Sequence, residues 1–132
     1  MNSANSIERR SYENVVGQSI VEDLIHLVGS IDSDKGTAGV KMKFPLGRIV
    51  WTRGVNNRIA VDTPFAKFVM ESLKRHSNGD WGELPDEDKR ENDFSLDKQL
   101  RLFSAYRQND WKIWIITEAD RTVTTILFPE EY

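Results

Sequence analysis

The spacing of apolar positions divides this chain into segments of different character. From Ser19 onward, Ile20, Leu24, Leu27 and Val28 recur at helical intervals, and Val21 and Ile25 widen the same face. Ser19-Ile20-Val21-Glu22 has the form of a capping box: a hydroxyl for a free helix N–H, and a Glu reaching back three residues later. Gly29 suits a stop. The pattern predicts a helix over 19–28. Residues 29–39, with three glycines among Ser and Asp, read as a loop. Val40 to Phe44 alternates apolar residues with Lys, as an exposed strand does. Pro45 interrupts, and Leu46 to Thr52 is a second short strand candidate. Gly54 and Asn56-Asn57 then break the pattern.

Thr63-Pro64 reads as an N-cap followed by proline at the first helical position, where a missing N–H costs nothing. Phe65, Phe68, Val69, Ser72, Leu73 and His76 fall on one face of the helix this predicts over 64–76. Glu71 and Arg75 form an i,i+4 pair on its exposed side. Pro85 followed by three acids predicts a helix over 85–98, because acids suit the positive end of the helix dipole. Phe94, Leu96 and Leu100 are its expected buried contacts. The last third changes period. RLFSAYR, WKIWIITE and TVTTILF are three strand-like runs, separated by Gln-Asn-Asp and Ala-Asp-Arg turns. The middle run is apolar on both faces and belongs inside a sheet. The expected fold class is α+β: a C-terminal antiparallel meander, three to five strands in the sheet, packed with about three helices. Residues 1–17 are polar and read as a flexible arm before a single domain over 18–132.

Composition narrows the chemistry. The chain of 132 residues has no cysteine, which removes disulfides, thiolate metal sites and cysteine nucleophiles. No apolar run reaches the ~18 residues of a membrane span, and the first residues lack the core of a signal peptide. The expected setting is cytoplasmic, with no membrane. The formal charge is -3, so the basic excess of a general nucleic-acid binder is missing. Asp80 to Lys98 carries eight acids against three bases, a net -5.

Candidate chemistry is sparse. His76, Asp80 and Glu83 are the catalytic candidates: a general base or metal ligand beside two carboxylates, if the Gly79–Gly82 turn folds back over the helix end. The plainer reading has His76 bonding free carbonyls at its helix end. His26 shares the polar side of the first helix with Glu22 and Asp23 and reads as exposed. Asp80 and Trp81 between glycines read as a tight turn with a core-plugging indole, or as a rim aromatic for a ligand. Glu118, Asp120 and Arg121 could hold an anion or simply close a hairpin. Tyr106 and Arg107 lie near the other hairpin. Asp86, Glu87 and Asp88 form either a solvated face or an anionic surface for a basic partner. There is no phosphate-binding glycine loop, nucleophile elbow or HExxH motif. No cofactor and no metal are expected.

Four stretches taken in order carry a resemblance: Gly79-Asp80-Trp81-Gly82-Glu83-Leu84; Ser104-Ala105-Tyr106-Arg107; Trp114 to Arg121, WIITEADR; and Thr124 to Tyr132, TTILFPEEY. Over about residues 46–132 the chain resembles a family of small bacterial proteins labelled "plasmid-related" and carried on mobile elements, with no assigned activity. It departs from that family in its first 45 residues and in Arg53, where the family often has proline. The resemblance implies an accessory protein of a mobile element. The expected function is non-enzymatic protein–protein binding, with an anti-defence inhibitor as its sharpest form. A small metal-dependent hydrolase or nuclease built on His76, Asp80 and Glu83 is one alternative, and a toxin–antitoxin component is another. The expected partner is a protein rather than a nucleic acid, and the expected state a monomer or homodimer. The candidate binding residues are Trp81, Asp86, Glu87, Asp88, Tyr106, Glu118 and Arg121.

Overall fold

The computed structural model describes residues 42–132. The expected arm over 1–17, the helix over 19–28, the loop over 29–39 and His26 lie outside them. The described residues form an α+β arrangement of three helices against a four-stranded mixed sheet. Strand β1 spans Arg48–Trp51, helix α1 Arg53–Val61, helix α2 Thr63–Ser77 and helix α3 Asp86–Lys98. Strands β2 (Leu102–Gln108), β3 (Trp111–Thr117) and β4 (Val123–Leu127) follow, then a 3-10 turn over Pro129–Glu131. The sheet order is β1-β4-β3-β2.

The meander over β2, β3 and β4 is antiparallel, as the three apolar runs predict. The first strand corrects the rest of that picture. β1 lies parallel to β4, with Arg48 opposite Val123 and Trp51 opposite Ile126. A parallel neighbour requires a long crossover, and the three helices and two other strands between β1 and β4 provide one. The strand expected at Val40 to Phe44 is not formed by its described residues. Met42, Lys43 and Phe44 lie outside any strand, and the Phe44 ring is buried in the core.

Side chains alternate across the sheet. Ile49, Trp51, Leu102, Tyr106, Ile113, Ile115 and Ile126 share one face and form a single core with Val55 of α1 and Phe65, Phe68, Val69 and Leu73 of α2. The α2 face is the one its periodicity predicts. Its cap is Asp62 rather than Thr63: the carboxylate accepts from the Phe65 N–H at 3.1 Å, and Pro64 follows in the first turn. Arg75 turns away from Glu71 and pairs with Asp80 instead.

Helix α1 is an element the sequence pattern misses. Gly54 and Asn56-Asn57 read as breakers, and neither an acid in the first turn nor a Thr52 side-chain bond caps the helix. The cap is supplied from 77 residues away: Glu131 Oε2 accepts from the Gly54 N–H at 2.9 Å. The other carboxylate oxygen accepts from the Thr52 hydroxyl and from the Phe128 N–H. A carboxylate at a helix N-terminus also meets the positive end of the dipole. Asn56 accepts from the Trp51 indole N–H at 3.3 Å.

β2 is an edge strand, and exposed edges are templates for pairing with another chain. The edge groups of two of its residues are engaged. The Asn92 amide of α3 takes both backbone groups of Phe103, accepting from its N–H at 3.2 Å and donating to its carbonyl. One step along, the Ala105 carbonyl accepts from the Glu83 N–H at 2.7 Å, and the Ala105 N–H donates to the Trp81 carbonyl at 3.3 Å. Asn92 is therefore the buried residue of α3. The contacts expected from Phe94 and Leu100 are corrected: both are exposed, at 57% and 46%, while Leu96 is partly buried against the core. About 200° of helix rotation separates residues two apart, so Phe94 and Leu96 cannot both face inward.

Candidate functional site

His76 sits at the centre of a buried polar ladder. Its Nδ1 is 2.6 Å from Ser104 Oγ and its Nε2 2.9 Å from Thr117 Oγ1. Thr117 Oγ1 is 2.7 Å from Thr124 Oγ1, which donates to the Leu46 carbonyl at 2.6 Å. A carbonyl only accepts, so the ladder acquires a direction. Thr124 gives its proton to Leu46, Thr117 gives its own to Thr124, and His76 must donate from Nε2. Nδ1 is then left to accept from the Ser104 hydroxyl. The arrangement assigns a neutral imidazole with its proton on Nε2. Burial, with a smaller push from the Arg121 charge, lowers its pKa to about 3. Phe44 and Trp81 meet the ring edge-on, at centroid distances of 5.3 and 5.7 Å.

This placement answers the questions the sequence raises about His76. The ring points into the core and binds strand hydroxyls; it does not cap carbonyls at its helix end. Ser104 is fully buried beside it, so a Ser-His pairing is present without a path for substrate. Nor do His76, Asp80 and Glu83 come together on an ion: among the described residues, no three His, Cys, Asp or Glu side chains form a metal-holding group.

The Gly79–Gly82 turn is a structural clasp. Asp80 takes Arg75 on both oxygens, at 2.7 and 3.1 Å, and accepts the Gly82 N–H at 3.1 Å. The Arg75 contact, with the Gly82 bond behind it, holds its carboxyl below the usual range. Gly82 has φ +78, and a Cβ there would overlap the Ala105 carbonyl oxygen. Trp81 is buried and donates its indole N–H to Asp93 at 2.9 Å, tying the turn to α3. Tyr106 is buried too, its hydroxyl donating to the Asp80 carbonyl, and burial raises its pKa. The Trp81 indole plugs the core rather than standing at a rim.

The third candidate group is also structural in geometry. Arg121 has φ +61, and its guanidinium reaches out of the β3–β4 turn. It donates to the carbonyls of Leu100 at 2.7 Å, Glu118 at 3.0 Å, Ala119 at 3.3 Å and Ser95 at 3.4 Å. Asp120 holds the Thr122 backbone N–H and hydroxyl. Glu118 is half-buried and lies 3.8 Å from Arg101. Arg121 thereby fixes the end of α3 and the residue that follows it.

What α3 turns outward is different. Gln99 takes a left-handed conformation, the Leu100 N–H returns to the Ser95 carbonyl, and Leu100 folds back beside the last turn. Between them runs an open groove of about 480 Å³, lined by Glu87, Arg90, Glu91, Phe94, Ser95 and Leu100. Of the candidate acids, Asp86, Glu87 and Asp88 stand exposed in the first turn of this helix. The other notable hollow lies on the opposite face of the sheet, between Arg101, Phe103, Trp114, Ile116 and Tyr132. At about 260 Å³ it falls below the ~300 Å³ at which small-molecule pockets begin. Sequence reasoning missed Phe94 and Leu100 as surface residues, although their spacing from Leu96 already sets Phe94 on another face.

No family model matches the chain, and neither a curated protein nor a solved structure does.

Proposed function

We propose that this protein acts by binding another protein, and that the outward face of α3 is the binding surface. One observation carries the reading: Phe94 and Leu100, large apolar side chains on a rigidly held helix end, are exposed on either side of an open groove. Anchor residues of that kind, ringed by charged groups, are how protein interfaces concentrate their binding energy. His76, Asp80, Trp81, Tyr106, Asp120 and Arg121 already have structural partners. The likeness to plasmid-related proteins supplies the setting, an accessory of a mobile element. Within it, inhibition of a host defence complex is the sharpest form of the same activity.

The test compares affinity capture from bacterial cells by tagged wild-type protein, by Phe94→Asp and by Lys112→Ala, an exposed change on β3. A partner held by the wild type and by Lys112→Ala is expected to be lost from Phe94→Asp, with the melting temperature unchanged. Identical capture by all three would sink the reading.

A further inference from the structure

Helix α3 is anchored on one side and bare on the other. Asn92 binds the Phe103 backbone, Asp93 binds Trp81, and Arg121 binds the Ser95 carbonyl. At 3.6 residues per turn, Arg90, Phe94 and Glu87 lie about 160° to 220° around the axis from Asn92. The groove is thus on the side opposite Asn92, with Ser95 at its border. A surface fixed in this way loses little freedom when a partner docks.

Charge then selects the occupant. Glu87 and Glu91 are one turn apart on the groove wall, with Arg90 the one cation among the lining residues and the Lys98 ammonium 6.0 Å from the Phe94 ring centroid. Over the whole helix, six acids stand against three bases. Like charges at i,i+4 destabilise a helix slightly, and a cation brought between Glu87 and Glu91 would relieve that repulsion. A second copy of the same face would set acids against acids. A nucleic acid or an anionic lipid surface would bring phosphate to the same carboxylates. A small molecule in so open a groove would leave much of its surface in water.

We propose that the groove receives a large apolar side chain of a partner protein, carried on a segment rich in lysine or arginine. The apolar side chain enters between Phe94 and Leu100, and a cation about one turn away meets Glu87 and Glu91. This names the partner's chemistry and rests on the protein-binding reading above. Such a contact associates faster at low salt and weakens as ionic strength rises.

The experiment titrates the isotope-labelled full chain with a short synthetic peptide of lysines and leucines at helical spacing, carrying one tryptophan. Amide shifts map the site, and tryptophan anisotropy gives the affinity. Shifts centred on Glu87, Arg90, Glu91, Phe94, Ser95 and Leu100 are expected. Phe94→Asp or Leu100→Asp should weaken binding by about tenfold or more. The double change Glu87→Gln, Glu91→Gln should weaken it about threefold at low salt and less at high salt. Equal binding of the peptide with glutamate for lysine would overturn the proposal, as would shifts centred elsewhere. So would a concentration-dependent dimer abolished by Phe94→Asp, which would make a second copy the occupant. Absence of peptide binding, with Phe94→Asp sharply lowering the melting temperature, would make another part of this chain the occupant. If the peptide fails while cellular capture still depends on Phe94, the partner chemistry falls and the binding reading stands. If neither depends on Phe94, both fall.

Discussion

His76 shows how much a single buried side chain can commit a protein to one protonation state. In the unfolded chain its pKa is near 6.5, and in the fold it drops to about 3. Between those values the unfolded state binds a proton that the folded state refuses. The stability due to this group is therefore complete above about pH 6.5 and declines as pH falls toward 3, by up to about 1.4 kcal/mol per pH unit. Urea unfolding between pH 7 and 4.5 is the measurement, because Asp62, Asp80 and Asp120 titrate below that window. A His76→Gln variant is expected to be less stable by about 2–3 kcal/mol at pH 7, from imperfectly satisfied hydroxyls. It should also lose most of the acid slope; an unchanged slope would show that His76 is not its source. Sequence alone placed His76 on the apolar face of α2 but gave it other partners, the helix-end carbonyls or Asp80 and Glu83. Ser104 and Thr117 are 28 and 41 residues away, and only the sheet register brings them to its two nitrogens.

Elements were legible where their signals are local. Pro64 and the run from Phe65 to His76 specify α2, and the three apolar runs specify the meander. Helix α1 was not legible, because its capping group lies on a turn at the other end of the described chain. Glu131→Ala removes the acceptor for the Gly54 and Phe128 N–H groups and the Thr52 hydroxyl. A loss of about 1–3 kcal/mol is expected, as for a helix cap with further buried bonds. Amide exchange should show Val55 and its neighbours opening first. Uniform protection in the variant would mean α1 is held by packing alone. Helix α3 was legible in extent and misread in orientation. Apolar residues were expected to face inward, yet an amide does so, because Asn92 can complete a strand edge and Phe94 cannot.

At the scale of the molecule, that edge decides whether the sheet ends. Asn92→Ala frees the N–H and carbonyl of Phe103. It should cost about 1–3 kcal/mol and leave a length of β2 open to a strand from another molecule. Light scattering at rising protein concentration should detect association in Asn92→Ala and not in the wild type. A variant that associates no more than the wild type would show that the Trp81–Glu83 segment protects β2 by itself. Nothing in the chain's periodicity announces this closure, since it depends on an amide and a turn meeting a strand edge. The candidate binding groove was half legible: the charge of α3 reads directly from the sequence, its apolar anchors do not.

The distance in sequence between β1 and its partners has a consequence for synthesis. β1 leaves the ribosome among the first of the described residues, yet its neighbour in the sheet is β4, and the cap of the helix after it is Glu131. A nascent chain stopped before Val123 carries Ile49, Val50 and Trp51 without the strand that pairs them, and one stopped anywhere before Glu131 carries α1 without its cap. Chains cut short before β4 thus leave the backbone N–H and C=O groups of β1 unpaired beside exposed apolar side chains, the combination that makes incomplete chains prone to aggregate.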